Sequence, residues 1–302
     1  MYAWRRVQDL STHVTLDLRR SLVSILATKR TRRLLLAELV ALAAVTPLAG
    51  IRPEAAAARG GVVTPDGRVY TAYVPAATKV GQFYQYSCEF DASWVVLKTF
   101  GYDVPFEEQL DVVGHDTSLE PYFEKTEEGV IIYGGDITRA FCGDYTSNML
   151  ARSTGTAFLP LFEHYGLHAE TVRTREEIEA TLDRGGLVWT KATVDFLPWE
   201  ASTWLTPSGK SVPTVLGNDH AVVVMGYNDD GVVIRDVLGP TNTNWERAYE
   251  YDVPWETFLA VFEAQGADGV AVFPAGDEAA DPSRTVKPAH SIEPSDPLQI
   301  CC

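Results

Sequence analysis

The stretch that most constrains the fold is an apolar helix that is predicted to begin at Cys88 and to close at Gly101. Apolar side chains recur at helical spacing in two stripes: Phe90, Trp94 and Leu97, and Ala92, Val95 and Val96. A helix that is apolar on most of its sides has to be covered by other elements. We therefore expect this helix at the centre of the hydrophobic core.

The first turn of this helix predicts a reactive thiol. Ser87 can cap the helix, which places Cys88 where the helix dipole is positive and backbone N–H groups are unpaired. Both effects favour the thiolate, the nucleophilic form of cysteine. Gln82 lies six residues upstream and can offer a side-chain N–H to an oxyanion that forms beside the sulfur. A cysteine alone is more often a buried structural thiol, so the interpretation depends on its partners.

Those partners are predicted in a β-hairpin. Two β-branched apolar runs flank the sequence Asn-Asp-Asp-Gly at 228–231, which is a hairpin signal. His220 starts the first strand and Asp236 ends the second. An odd loop centred on Asn228 sets the two residues directly opposite, with Cβ atoms about 4.5–5.5 Å apart. A carboxylate at that distance can hold an imidazole tautomer. A two-residue turn shifts the register by one residue, and we predict the odd loop.

This combination resembles a known group of enzymes. A Gln-x5-Cys motif at the start of a helix, followed by His and Asp across a hairpin, is similar to the papain superfamily. The closer resemblance, over roughly residues 78–273, is to the bacteriocin-processing (double-glycine leader) cysteine peptidases and their peptidase C-39-like relatives. The segments that carry it are 86–89, 135–144, 218–227, 235–240 and 255–258.

The resemblance implies a role for each candidate residue. Cys88 would be the nucleophile, His220 the base, Asp236 the residue that orients the base, and Gln82 the oxyanion donor. The chain departs from the leader peptidases at Glu89, where those enzymes usually have glycine. This departure concerns the substrate more than the fold.

The predicted fold class is α+β, a papain-like domain over residues 78–273 whose catalytic helix packs on an antiparallel sheet. Residues 59–77 are predicted to be a linker with a short strand at 68–74, and residues 274–302 a disordered tail. The segment 115–155 is predicted to be a long loop that walls the cleft. Further helices are predicted at 105–113, 157–165, after a capping box at 174–177 and at 255–264, and further strands at 187–194 and 269–273.

The first 58 residues predict export. They hold nine Lys or Arg and four Asp or Glu, whereas the whole chain has a net charge of −16. A basic run at 29–33 precedes an apolar stretch and then four alanines at 55–58, which is a signal-peptide pattern. The sequence from Thr31 to Leu36 is similar to a twin-arginine signal. We expect cleavage close to Ala58, no stable membrane span afterwards, and a secreted or cell-envelope location.

Other chemistries are disfavoured. A negative net charge argues against nucleic acid as a partner. His164 and His168 are separated by Gly166, which ends a helix, so a shared metal site is not expected. There is no Gly-x-Ser-x-Gly motif for a serine nucleophile. Cys142 is interpreted as a buried thiol. Trp199, Trp204 and Phe196 are candidates to line a cleft, although packing explains them better.

The sequence therefore predicts an exported cysteine hydrolase that cleaves a peptide or amide bond, needs no cofactor and is a monomer. The alternative is a non-catalytic module that binds a peptide or the cell wall on the same fold, because fold alone does not determine function. A binding relic would usually have lost a member of the catalytic set, whereas all members are present in this chain.

Overall fold

The structure, a computed structural model, describes residues 61–274. The predicted targeting segment, its cleavage site near Ala58 and the tail from residue 275 onward lie outside these residues. The α-helices are α1 (Cys88–Thr99), α2 (Phe106–Val113), α3 (Gly155–His164), α4 (Arg175–Asp183) and α5 (Trp255–Ala264). Among the described residues, no helix is both long and apolar enough to cross a membrane.

The β-strands are mostly short. They are β1 (Val62–Val63), β2 (Val69–Tyr70), β3 (Ala72–Tyr73), β4 (His115–Asp116), β5 (Tyr122–Thr126), β6 (Gly129–Tyr133), β7 (Phe141–Cys142), β8 (His168–Val172), β9 (Leu187–Thr193), β10 (Ala201–Leu205), β11 (Ser211–Val215), β12 (Asp219–Tyr227), β13 (Gly231–Arg235), β14 (Glu250–Pro254) and β15 (Gly269–Phe273).

The main sheet is antiparallel throughout. Its strand order is β14-β13-β12-β9-β15-β8, and β3 also pairs with β12. One face packs against α1 and α3, and the other packs against α4 and α5. Along β12, Ala221 and Val223 face the first pair of helices, whereas Val222 and Val224 face the second. Because both faces are covered, the central strands are apolar almost without interruption. The predicted α+β class with an antiparallel sheet is confirmed.

Helix α1 lies in the core as predicted. Every residue from Cys88 to Leu97 is buried, and Phe90 contacts the rings of Phe106, Phe141 and Phe158. The helix closes at Gly101, whose φ of +103° favours glycine. The apolar stripes on several sides of the helix are thus explained by packing against the sheet and against the other helices.

The segment 115–155, predicted to be a loop, contributes β5 and β6 to a second, smaller sheet. Its strand order is β11-β10-β6-β5, and β6 pairs with β10 in parallel. Trp204 of β10 is fully buried and donates a hydrogen bond from Nε1 to the Gly135 carbonyl, 2.9 Å. The prediction of a loop was wrong because β6 and β10 are about 70 residues apart in sequence, and β5 is exposed along its whole length. Neither feature gives a local strand signal.

The predicted linker also belongs partly to the domain. Tyr70 is buried in the core, and Tyr73 of β3 lies opposite Gly226 of β12. A Cβ at Gly226 would lie 2.9 Å from the backbone oxygen of Ala72, so glycine allows β3 to approach. The domain therefore begins upstream of residue 78, because β3, which is only two residues long, pairs with β12 far along the chain.

Candidate active site

Cys88 is the first residue of α1, as the sequence predicted. Ser87 occupies the N-cap position, but its side chain makes no capping hydrogen bond. Instead, Ser87 Oγ donates to Asp91 Oδ2 at 2.7 Å and accepts a hydrogen bond from the Tyr84 N–H. Ser87 thus fixes the loop that leads into the helix rather than the helix end itself.

The Cys88 thiol is buried and its hydrogen-bond partner is a carboxylate. The thiol is part of a residue that is only 6% exposed, and Sγ donates to Glu89 Oε2 at 3.1 Å. Burial and the neighbouring Glu89 charge raise the pKa of Cys88 well above its ordinary value. The expectation that the helix terminus would favour the thiolate is therefore wrong for this arrangement, because the desolvated thiol faces a negative charge. Within residues 61–274, no hydrogen bond joins Cys88 and His220.

Glu89 belongs to a buried group of charges that we call the thiol cluster: Cys88, Glu89, Lys191 and Asp219. Lys191 Nζ lies 2.6 Å from Glu89 Oε1 and 2.7 Å from Asp219 Oδ2. Burial acts to lower the pKa of Lys191, but Asp219 and Glu89 more than offset it and raise that pKa. Gln265 donates to the other Asp219 oxygen at 2.7 Å. The cluster therefore holds a lysine ammonium between two carboxylates.

His220 and Asp236 form the second group, which we call the imidazole cluster together with Tyr251 and Arg247. His220 Nε2 lies 2.9 Å from Asp236 Oδ1, and both side chains are buried. Tyr251 donates a hydrogen bond to Asp236 Oδ2 at 2.9 Å, and Arg247 Nη2 lies 3.4 Å from the same oxygen. Burial acts to raise the pKa of Asp236, but His220 and Arg247 hold it well below its usual range. This arrangement keeps a carboxylate on one nitrogen of the imidazole.

The hairpin reaches this geometry by a route that the sequence did not predict. Asn228 N donates to Gly231 O, so the turn is the two-residue Asp229-Asp230 turn and not an odd loop. The register then shifts between Val224 and Gly226, and this bulge adds one residue to β12. The extra residue compensates for the one-residue change of register that the two-residue turn causes. The side chains of His220 and Asp236 therefore lie on the same face of the sheet, in diagonal rather than directly opposite positions. Diagonal neighbours remain within reach of long side chains.

The loop that carries Gln82 is tied to both halves of the site. The Gly81 N–H donates to the Val237 carbonyl, 2.8 Å, directly after Asp236. The Phe83 N–H donates to Asp91 Oδ1 at 2.9 Å in α1. Gln82 itself is half-buried, and among the described residues its side chain makes no hydrogen bond. The loop thus connects the start of the cysteine helix to the end of β13.

The structure places the predicted site residues on opposite faces of the main sheet. Cys88 packs with Ala221 and Val237, the residues that follow His220 and Asp236, so the imidazole and its carboxylate point away from the sulfur. The polar partners of the cysteine and of the imidazole are different residues. Sequence reasoning did not select Lys191, Arg247 and Tyr251, and it treated Glu89 only as a departure from a motif. A lysine inside the apolar run at 187–194 was a signal for a buried ion pair.

A surface cavity lies beside the imidazole cluster. Its lining includes Arg247, Tyr251 and Asp195 but not Cys88. Asp195 pairs with Arg247 at 2.5 Å and has a φ of +57°, a left-handed conformation that is uncommon for residues other than glycine. The cavity therefore gives access to the residues that support Asp236 rather than to the sulfur.

Comparison with known proteins places the chain in a family. A family model described as the Peptidase_C39 like family matches residues 70–270. The uncharacterized protein YvpB of Bacillus subtilis (strain 168) is 24% identical over 158 residues, 49% of this chain and 61% of YvpB. The chain thus spans less than two thirds of that relative.

The fold is shared with a solved structure. The crystal structure of a candidate C39-like peptidase from Bacillus anthracis matches with a TM-score of 0.52 and 18% identity, covering 68% of this chain and 98% of the other. The resemblance drawn from the sequence is confirmed by the family match over most of the described residues. The chain belongs to the Peptidase_C39 like family.

Proposed function

We propose that the protein is a cysteine hydrolase that cleaves a peptide or amide bond, with a papain-like catalytic layout. The observation that carries this proposal is the buried 2.9 Å hydrogen bond between His220 Nε2 and Asp236 Oδ1. A carboxylate in this position orients the imidazole and stabilises the imidazolium that forms when it accepts a proton. Family membership and the position of Cys88 at the start of α1 support the same reaction class.

The proposed reaction has two balanced stages. His220 points to the face of the sheet opposite Cys88, so the proposed reaction requires the start of β12 to rearrange until the imidazole reaches the sulfur. The Cys88 thiol then gives its proton to the His220 nitrogen that does not contact Asp236, and sulfur attacks the carbonyl carbon. Gln82 and the Cys88 backbone N–H stabilise the oxyanion. His220 then returns the proton to the leaving amine as the C–N bond breaks, which leaves a thioester. Water hydrolyses this thioester, with His220 first taking a proton from the water and then restoring the thiol.

A binding module is the second candidate, and one observation favours it. The Cys88 thiol is buried and donates to Glu89, whereas His220 points to the opposite face of the sheet, so the sulfur does not contact its proposed base. A protein that only binds a peptide or the cell wall would need no closer contact. Under the hydrolase proposal, His220 has to move to the face of Cys88 when substrate binds, and the thiol proton then changes its partner from Glu89 to the imidazole.

The two candidates are separated by hydrolysis measured in matched variants. Wild-type protein is incubated with a quenched fluorescent peptide library and with small amide and ester substrates. We expect product release by wild type, loss of release in Cys88→Ser, and retention in Cys142→Ser, because Cys142 is fully buried beside β4. Binding of the same peptide by wild type and Cys88→Ser, with product released by neither, would establish the binding module instead.

We also propose that the protein is exported, on the sequence pattern of residues 1–58. The expected mature N-terminus lies near Arg59. N-terminal sequencing of the extracellular protein checks this position, and recovery of the intact Met1 chain from the cytosol alone would contradict it.

A further inference from the structure

Glu89 and Lys191 form a buried ion pair that the proposed reaction steps do not use. The Lys191 and Glu89 side chains are 4% and 0% exposed, and Nζ lies 2.6 Å from Oε1. The Ser153 N–H also approaches Oε1, at 3.3 Å. The second carboxylate oxygen accepts the hydrogen bond of the Cys88 thiol. The two oxygens of Glu89 therefore have separate partners, a fixed cation on one side and the sulfur on the other.

The charges around the sulfur favour the protonated thiol. Burial has the largest effect and the Glu89 charge comes next, both raising the pKa of Cys88, and Asp219 acts in the same direction. Lys191 acts in the opposite direction, but its ammonium lies between Glu89 and Asp219. The Arg152 guanidinium lies 3.9 Å from Asp219 Oδ2, the oxygen that Lys191 also contacts. The hydrogen-bond partner of the sulfur is thus a carboxylate.

We propose that Glu89, fixed by Lys191, is a positioning residue that holds Cys88 as a hydrogen-bonded thiol in the resting protein. The inference deepens the proposed function and rests on it, since the same proton has to pass to His220 before the sulfur attacks. A carboxylate 3.1 Å away accepts a hydrogen bond from a thiol but repels a thiolate. The resting site is therefore a weak nucleophile toward small electrophiles at neutral pH.

Glu89→Gln tests this role with little change in shape. The amide oxygen can still accept from Lys191, while the amide N–H faces the sulfur and can donate to a thiolate. The rate of Cys88 alkylation by iodoacetamide is followed against pH by peptide mapping. We expect the midpoint to move to lower pH by at least about one unit, which makes alkylation at neutral pH about tenfold faster. Glu176→Gln, an exposed residue of α4, is the matched control and should leave the profile unchanged.

A second measurement on the wild type keeps the inference testable if Glu89→Gln does not fold. The infrared difference spectrum between wild type and Cys88→Ser at neutral pH should contain an S–H stretching band at the position of a hydrogen-bonded thiol. The absence of this band would overturn the inference, as would identical alkylation profiles for Glu89→Gln and wild type.

These readouts do not depend on turnover, so the two proposals fail in different ways. Loss of hydrolysis in Cys88→Ser with an unchanged Glu89→Gln profile would leave the hydrolase and remove the role of Glu89. A shifted profile in a protein that hydrolyses nothing would keep the thiol–carboxylate contact and remove the hydrolase.

Discussion

Asp219 and His220 are consecutive residues of β12, yet they belong to two different buried clusters. Successive side chains of a strand point to opposite faces, so Asp219 joins Lys191 in the thiol cluster and His220 joins Asp236 in the imidazole cluster. The imidazole already has the partner that a general base requires. The thiol instead donates to Glu89. The His220–Asp236 pair is therefore assembled, whereas the thiol is held in an unreactive form on the other face of the sheet, and the proposed reaction requires the two to be brought together.

The largest loss of activity is expected from substitutions that disrupt the imidazole cluster. If His220 is the general base, His220→Ala should lower kcat/KM by about 10²–10⁴-fold. Asp236→Asn should retain a larger share of activity, because an amide oxygen can still accept a hydrogen bond from the ring. Steady-state hydrolysis of the substrate found in the library screen measures both. Equal activity of wild type and His220→Ala would remove His220 from the reaction.

The next largest effect is a loss of stability, expected when the thiol cluster is disrupted. Lys191→Met leaves Glu89 and Asp219 as buried carboxylates without their cation, which should lower the free energy of unfolding by about 3–5 kcal/mol. Lys125→Met is the matched control, because its pair with Glu200 is exposed and should cost at most about 1 kcal/mol. Urea unfolding at neutral pH compares the two variants. A similar loss in both would mean that the buried ammonium does not hold the thiol cluster together.

The pH dependence of stability should differ between the two sides of the sheet. Asp268 accepts the Gly155 N–H at 2.9 Å near Lys191, and burial raises its pKa to about 6. A carboxyl group with a raised pKa contributes most to the free energy of unfolding at low pH. This contribution, on the order of 3 kcal/mol, is lost as the pH rises from about 4 to 6. Asp236 has a lowered pKa, so its contribution is lost only as the pH falls below about 4.

Urea unfolding of wild type and Asp268→Asn between pH 4 and 6 separates these contributions. We expect the stability difference between the two proteins to change steadily across this window, because the amide does not titrate. A constant difference would show that Asp268 keeps an ordinary pKa in the folded protein.

The smallest expected effect sharpens the description of Asp236. Tyr251→Phe removes one hydrogen bond to this carboxylate, while His220, Arg247 and the Leu238 N–H remain as partners. We expect a loss of unfolding free energy of about 1 kcal/mol and a modest fall in activity. Tyr133→Phe on the small sheet is a control, because Tyr133 does not contact Asp236. An equal effect of the two variants would mean that the Tyr251 hydrogen bond does not support Asp236.

Much of the fold could be predicted because its signals are local. The apolar stripes after Cys88, the capping box at Thr174 and the apolar run at 255–264 each gave an element that the structure contains. The hairpin was predicted from its β-branched runs. The small sheet was missed because it depends on pairing between β6 and β10, and exposed strands give a weak pattern.

The candidate site was only partly predictable for the same reason. His220 and Asp236 could be paired from their spacing, but the two-residue turn and the compensating bulge cannot be read from the glycine and asparagine positions alone. The state of Cys88 was missed because a helix terminus was weighed without burial. Desolvation and the Glu89 contact oppose the helix dipole, and both arise from tertiary packing.

Covalent trapping of Cys88 tests the central claim most directly. A panel of peptidyl electrophiles is incubated with wild type, His220→Ala and Cys142→Ser, and the modified residue is located by mass spectrometry. The account predicts a stoichiometric adduct on Cys88 in wild type and Cys142→Ser that forms far more slowly in His220→Ala. Equal rates in wild type and His220→Ala, or adducts on Cys142 with Cys88 untouched, would contradict it.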